Sequence, residues 1–494
     1  MHSPTRSPLI VLLVIFSLLF ATLGSAAQSR RRVSLLLTNG KIFRSDGRGA
    51  VAQAVAIDGE RIVAVGSNVE IAARYRGDRE VDLGGKLVTP GFNDAHIHFL
   101  SGGLSLLRVD FSGARSLEET KRRIAAKARD LPPGSWILGR GWDHTLWGGQ
   151  WPTRQDLDDV TPNNPVFVHR VDGHVSWANS LALKKAGITR ETQAPEGGEI
   201  LRDSSGEPTG ILKETAAGLV ARIVPEPTTA EKMQAIERAL AEARRYGITS
   251  IQDNSGYETT KLYRELLKQG KLTVRVAEWQ NFEDAVDELK RQRAEFASFQ
   301  DDPLRLRLTA LKGYVDGTLG SRTSAMLAPF SDDPHNSGIP RRAPEELTRL
   351  IVERAMAGFQ IALHAIGDRA NRMALDGFEA AQRQQAEHLK GKPQRGWLVA
   401  ASDPSGDSDM QNGPSLRAAQ RHRIEHAQVV APSDFERFRN LGVIASMQPS
   451  HAISDKRWAQ DRLGEYRVQG AYAWHTMLAF GVHLPFGTDW PVEP

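Results

Sequence analysis

Two histidines one residue apart, His96 and His98, are the first residues whose types and spacing suggest chemistry. In an extended segment, residues two apart point to the same face, so both imidazoles can converge on one ion. Three further candidates lie far along the chain: His364, His426 and Asp489. Imidazoles and a carboxylate together form a ligand set for a divalent transition metal. A histidine met alone is more often a hydrogen-bonded structural residue. Four of them with an aspartate, all at the ends of predicted strands, favour a metal site. Lys312 reads in two ways. As an ammonium it has only donors, cannot bind a metal and makes an ordinary ion pair. Desolvated beside cations it can lose its proton, and the neutral amine can take up carbon dioxide to give a carbamate that bridges two ions.

For these residues to meet, distant strand ends must be brought together. From residue 88 onward, apolar strand patterns alternate with amphipathic helical ones. Eight strands are predicted. The first runs from Leu87-Val88-Thr89 toward His96 and His98; the others are 247–252, 272–277, 304–311, 359–363, 422–425, 443–447 and 482–486. Helices are predicted between them, among others at 229–246 and at 344–357, the latter stopped by Gly358. This order predicts an α/β fold, a (β/α)8 TIM-type barrel, which gathers the C-terminal strand ends around one mouth. Residues 28–87 read as the N-terminal part of a small β-sandwich, with a hairpin around Asp58-Gly59-Glu60. The barrel, 88–494, is interrupted by a Trp-, Gly- and Pro-rich insertion at 110–227 and by a polar loop at 402–415 that carries no chemistry.

The 494 residues allow one large domain and a smaller one. A net charge of +4, spread without a dense basic stripe, gives no footprint for nucleic acid. The chain has no cysteine, which excludes disulfides, thiolate ligands and a cysteine nucleophile. Residues 1–27 read as a signal peptide: Arg6, then an apolar run from Leu9 to Phe20, then small residues near Ala26 and Ala27. Export to a periplasmic or extracellular space is expected, with membrane contact only through this signal or through its use as an uncleaved anchor.

The local strings around the candidate ligands narrow the reading. They are Thr89-Pro90-Gly91-Phe92-Asn93-Asp94-Ala95-His96-Ile97-His98, Lys312-Gly313-Tyr314-Val315-Asp316-Gly317-Thr318, Leu363-His364-Ala365-Ile366-Gly367-Asp368, Arg423-Ile424-Glu425-His426-Ala427-Gln428 and Gly487-Thr488-Asp489-Trp490-Pro491-Val492. Asp172-Gly173-His174, followed by Asn179-Ser180, belongs to the same set. In order and wording these strings resemble the amidohydrolase superfamily, in its YtcJ-like branch (amidohydrolase family 3), the branch of N-substituted formamide deformylase and AepA-like proteins.

The resemblance implies a barrel with a small β-sandwich and hydrolysis of a non-peptide C–N bond in an amide, N-substituted formamide or cyclic amide. It also implies one or two divalent ions, zinc being the expected metal, and a carbon dioxide-derived carbamate on Lys312. On this reading His96, His98 and Asp489 hold one ion, His364 and His426 hold the second or complete a single site, and Lys312 bridges. Metal-activated hydroxide attacks, and Asp489 is the catalytic base. Trp142, Asp143, Asp172, His174, Asp316 and Arg322 are the candidate contacts to a small-molecule substrate, and a homodimer is possible. The alternatives are an inactive or regulatory metal-binding homologue, or a hydrolase of the same superfamily acting on another ester or a lactone. The branch continues past the Asp489 motif, whereas this sequence stops at Pro494. The last helix and the C-terminal sandwich strands are therefore expected to be missing.

Overall fold

The structure, a computed structural model, describes residues 29–45, 49–171, 173–299, 302–390 and 420–493. The expected signal peptide and the 402–415 loop lie outside the described residues. Among these residues no helix is long and apolar enough to cross a membrane. The chain divides into two compact units after Gly91.

The first unit is built of two small sheets. Four strands stand in the order Arg61–Gly66, Ala54–Asp58, Arg31–Thr38, Tyr75–Asp82. The predicted hairpin is present: Asp58 pairs with Arg61 across a two-residue turn, and Gly59 takes the left-handed φ of +59° that the turn requires. Three short strands, Val51–Ala52, Lys41–Phe43 and Leu87–Val88, form the other sheet. This corrects one expectation. Leu87–Val88 pairs with Lys41–Phe43 and does not begin the first barrel strand. Pro90, which has no N–H to give a ladder, separates the two strands.

The second unit carries seven parallel strands: β1 (Phe92–Ile97), β2 (Ile248–Asp253), β3 (Arg275–Asn281), β4 (Leu306–Tyr314), β5 (Gln360–Ala365), β6 (Arg423–His426) and β7 (Ile444–Ser446). Spatial order equals chain order, as in a singly wound α/β barrel. The eighth place is filled by a segment that is hydrogen-bonded on both sides without forming a regular strand. Ala445 N–H donates to His483 O (3.0 Å) and Met447 N–H to Pro485 O (3.1 Å), while Ala95 N–H donates to Phe486 O (3.1 Å). The strand predicted at 482–486 is broken because Pro485 cannot donate to a neighbour. The fold is a TIM-type α/β barrel.

Helices cover the strands. Pro344–Met356 and Asp368–Leu389 bury Leu347, Ile351, Leu375 and Phe378 in one core with Leu311, Ile361, Leu363 and Ile424 of the strands. The first of these helices ends as its sequence suggests. Gly358 stands at φ +84°, its N–H donates to Ala355 O, and Phe359 N–H reaches back to Arg354 O. That pair of bonds satisfies carbonyls that would otherwise be orphaned.

Between β1 and β2 the chain builds a six-stranded sheet of its own. The order is Gly198–Arg202, Pro208–Glu214, Val175–Ala178, Val166–Arg170, Ile137–Trp142, Val109–Asp110. Its core holds Trp142 and Trp177, both fully buried, with Ile137, Val166 and Val168.

Candidate metal centre

β1 places His96 wholly inside the barrel, and His98 follows where the strand gives way to a helix. The period of two holds: His96 Nε2 and His98 Nε2 lie 3.3 Å and 3.1 Å from the same atom, Asp489 Oδ1. Lys312 of β4 is buried, with Nζ 3.2 Å from His96 Nε2. The His364 ring, from β5, lies 4.5 Å from that of His426, and the His426 ring lies 5.1 Å from that of His96. All six residues read from the sequence as ligands are thus gathered at one end of the strands. His426 and Asp489 adopt left-handed backbone, φ +74° and +57°, an uncommon conformation for such residues and one concentrated at functional sites.

Outer partners fix which ring nitrogen faces the pocket. His96 Nδ1 is 2.6 Å from Glu425 Oε2, His426 Nδ1 is 2.7 Å from Gln448 Oε1, and His364 Nε2 is 3.0 Å from Gly317 O. Each of these partners is an acceptor, so each named nitrogen carries a proton and the other ring nitrogen is turned to the pocket. Glu425 is itself clamped. Arg423 Nε donates to its Oε1 (2.7 Å), and Arg423 Nη2 donates to Ala95 O and to Ser446 Oγ. Asp316 serves His364 in a similar way from 3.6 Å, while accepting from the amides of Ala325, Ile366 and Gly367.

Electrostatics follow from burial and from these partners. Burial lowers the Lys312 ammonium to about 8, against the opposing pull of Glu425 and Asp489. Burial also lowers His364 to about 3 and takes His426 well below the ordinary imidazole range, so both rings are neutral. For Asp489 and Glu425, burial works against ionisation and is outweighed. The imidazoles around Asp489, and Arg423 with His96 around Glu425, hold both well below the usual carboxylate range.

These residues fit a metal. Asp489 Oδ1 is buried and receives no hydrogen bond, although two imidazole nitrogens stand within 3.3 Å of it. His96, His98 and Asp489 offer three donor atoms within 4.8 Å of one another. A buried anionic oxygen without a donor is costly, and a cation among those atoms removes the cost.

The candidate substrate contacts are scattered. Trp142 is fully buried in the insertion, where its indole N–H donates to Val168 O; it has no surface to offer a substrate. Asp316 is likewise fully buried and spends its oxygens on three backbone amides. Both expectations are corrected for the same reason: each side chain is enclosed and already satisfied. Asp143 caps the short helix His144–Trp147 and pairs with Arg170 at 2.8 Å. Arg322 makes a two-pronged pair with Asp332, at 3.1 and 2.9 Å. His174 is exposed, 3.1 Å from Glu214. Asp172 lies outside the described residues.

Four pocket residues were not singled out from the sequence. They are Asn254, whose amide nitrogen is 3.4 Å from both His96 Nε2 and His98 Nε2, then Arg423, Gln448 and His451. Arg423 had a readable signal: in a strand it shares a face with Glu425, and opposite charges two apart inside a barrel need a purpose.

Fold and site together define a divalent-metal-dependent hydrolase on a TIM-type barrel, acting on a small molecule. Residues 79–401 and 410–494 match the profile of the Amidohydrolase family, and the chain belongs to that family, in its YtcJ-like branch. It is 35% identical over 480 residues to Protein LONG AFTER FAR-RED 3 of Arabidopsis thaliana, covering 93% of this chain and 75% of that one. It is 30% identical over 467 residues to Putative amidohydrolase YtcJ of Bacillus subtilis (strain 168), covering 92% and 80%. With N-substituted formamide deformylase of Arthrobacter pascens it shares 31% identity over 366 residues, covering 71% and 66%. The solved structure of an uncharacterized metal-dependent hydrolase from Pyrococcus furiosus superposes with a TM-score of 0.71 at 30% identity, covering 93% of this chain and 86% of that one.

Proposed function

We propose that this protein hydrolyses a non-peptide C–N bond, in an amide, an N-substituted formamide or a cyclic amide. The observation that carries the proposal is the convergence of His96 Nε2 and His98 Nε2 on the unsatisfied Asp489 Oδ1, beside the buried Lys312. The likeness to a formamide deformylase supports the choice of bond. His96, His98 and Asp489 would hold the metal, with His364, His426 and Lys312 completing the set. The mixture of imidazole and carboxylate suits zinc. When bound, such an ion supplies Lewis acidity, polarising a carbonyl and lowering the pKa of water toward neutrality.

The chain's own residues do the rest. Glu425, locked by Arg423, holds His96 in one tautomer and one orientation. Asp489 is ionised throughout the working range, and its Oδ1, which receives no hydrogen bond, is the atom that would accept a proton from the attacking water. It later delivers that proton to the departing nitrogen as the C–N bond breaks. Lys312, lowered to about 8, presents part of its population as free amine near neutral pH. That amine adds to carbon dioxide and releases one proton, leaving an anionic carbamate in place of an ammonium.

The test is a substrate panel of N-substituted formamides, N-acyl amines, cyclic amides, lactones and phosphoesters, run with the wild-type protein and with Asp489→Asn. Turnover of the nitrogen compounds alone, lost in the variant, is the expected result. Turnover confined to lactones or phosphoesters would reassign the bond, and a metal-loaded protein inert to the whole panel would favour a regulatory role.

A further inference from the structure

We infer that Asp253 and Glu278, two acids outside the candidate metal centre, share one proton and act as positioning residues for His98 and Asn254. They are register partners on the adjacent strands β2 and β3, and both are wholly buried. The residues two before them, Ile251 and Val276, lie in one core with Tyr263 and Leu266 of the helix Thr259–Lys268. By the period of two, the acids face that helix and turn away from the pocket. Two ionised carboxylates opposite each other in such a place would repel strongly. Their surroundings supply no counter-charge. The helix contributes the Tyr263 hydroxyl, β4 contributes the apolar Leu308, and no cation pairs with either acid among the described residues.

The hydrogen bonds say where the proton sits. Asp253 Oδ1 accepts from Phe99 N–H (2.8 Å) and from Ser255 Oγ (2.8 Å), and its Oδ2 accepts from the Tyr263 hydroxyl (2.6 Å). Glu278 Oε1 accepts from the amides of Gly256 (2.9 Å) and Trp279 (3.1 Å), whereas its Oε2 is enclosed and meets no donor. Donors favour the ionised form of an acid, so Asp253, with both oxygens served, keeps the charge. A proton on Glu278 Oε2, donated to Asp253, satisfies the last bare atom and removes the repulsion. Burial and the neighbouring Asp253 both raise the Glu278 carboxyl well above the usual range, which agrees with this placement.

The pair holds the pocket wall from behind. Phe99 directly follows His98 and opens the helix Phe99–Leu107, so Asp253 takes the first orphan amide of that helix. Ser255 and Gly256 directly follow Asn254, and Ser255 Oγ also accepts from Leu100 N–H (3.1 Å). Asn254 N–H donates to Ile97 O (3.1 Å), and its side-chain nitrogen lies 3.4 Å from both His96 Nε2 and His98 Nε2. Trp279, next to Glu278, sets its ring edge-on to that of His96, with centroids 5.6 Å apart. A shift of either acid therefore moves the backbone on both sides of the two imidazoles.

The positioning role rests on the metal-dependent reading of the pocket, but its test needs no substrate, so a failure of the C–N proposal leaves it standing. Glu278→Gln places an amide N–H where the shared proton stands and keeps an acceptor for Gly256 and Trp279. Wild type must take up a proton to fold, so this contribution to its stability falls as pH rises above about 4.3, the value in an unfolded chain. The Gln variant has no such proton to take up. The metal-loaded full chain and the variant are unfolded by denaturant from about pH 5 to about pH 9, and their difference cancels the groups they share. The variant is expected to gain on wild type by up to about tenfold in the unfolding equilibrium constant per pH unit, and to bind Zn2+ or Co2+ as wild type does. Glu278→Leu, which abandons both amides and Asp253, is expected to weaken metal binding about 10- to 100-fold, with circular dichroism reporting its fold. If it does not fold, Ser255→Ala, which cuts only the link from Asp253 to Leu100, replaces it, with an expected loss of about tenfold. Parallel pH curves for wild type and Glu278→Gln would overturn the shared proton. Unchanged metal affinity in the folded Leu or Ala variant would overturn the positioning role.

Discussion

The barrel pocket and the insertion both bury aromatic, basic and acidic side chains in close contact, yet they leave them in different states. In the insertion, the polar atoms of this cluster are spent on one another and on the backbone. Trp142 and Trp177 donate to the carbonyls of Val168 and Thr153, and Asp143 accepts from Thr145 and Arg170. The Trp142 and Trp147 rings lie 3° from parallel, and His144 stacks on Trp151 at 3.8 Å. In the pocket, Asp489 Oδ1 and His451 Nε2 are both enclosed and stay unsatisfied, and His451 Nε2 lies 3.7 Å from the other oxygen of the same carboxylate, Oδ2. A satisfied cluster holds a fold together, whereas unsatisfied atoms that converge on one space mark a place for a ligand.

Four substitutions break or sharpen that contrast. The largest effect belongs to Asp489→Asn, which removes the proton acceptor and keeps the shape. Turnover should fall by roughly 10^4-fold while most of the metal stays bound, checked by kinetics beside metal analysis. Near-normal turnover would remove Asp489 as the base. Next comes Trp142→Ala, which hollows the insertion core. It should cost about 3–5 kcal/mol of stability and leave metal affinity alone, read from denaturant unfolding and metal titration. A raised KM at unchanged stability would instead return Trp142 to the substrate.

His422 tests an unsatisfied nitrogen at the wrong end of a strand. It precedes β6, at the end remote from His426; its Nδ1 accepts from Ile361 N–H, and its Nε2 has no partner. Burial lowers its pKa to about 4, from about 6.5 in an unfolded chain. Because the folded value is the lower one, the stability it contributes is present above about pH 6.5 and is lost as pH falls toward 4. The full loss is on the order of 3 kcal/mol. His422→Phe should flatten the pH dependence of the melting midpoint over that window without touching metal content; an unchanged acid sensitivity would contradict the assignment. The smallest effect is expected from Arg322→Ala. Arg322 pairs with Asp332, which Arg462 also holds, so melting midpoint and KM should both stay at wild-type values. A tenfold rise in KM would make Arg322 a substrate contact.

Local rules explain which parts were legible beforehand. The His96-x-His98 spacing, the Gly358 helix stop and the Asp58-Gly59-Glu60 hairpin each depend on neighbours within a few residues, and each appears as read. The start of β1 and the broken eighth strand were misread because Pro90 and Pro485 decide which backbone groups can pair. Trp142 and Asp316 were taken for substrate contacts because burial cannot be seen in a run of residues.

The sequence by itself determined the donor inventory: which side chains can hold a cation, which of them share a strand face, and, through the absence of cysteine, which ligands are excluded. Those properties belong to single residues and to the two-residue period of a strand. Only the tertiary structure decided that Glu425 and Arg423 would orient His96, that Asp489 would stand between two groups of imidazoles, and that His451 would join one of them. Such pairings join residues tens to hundreds of positions apart, and they exist only once the strands are wound side by side into a barrel.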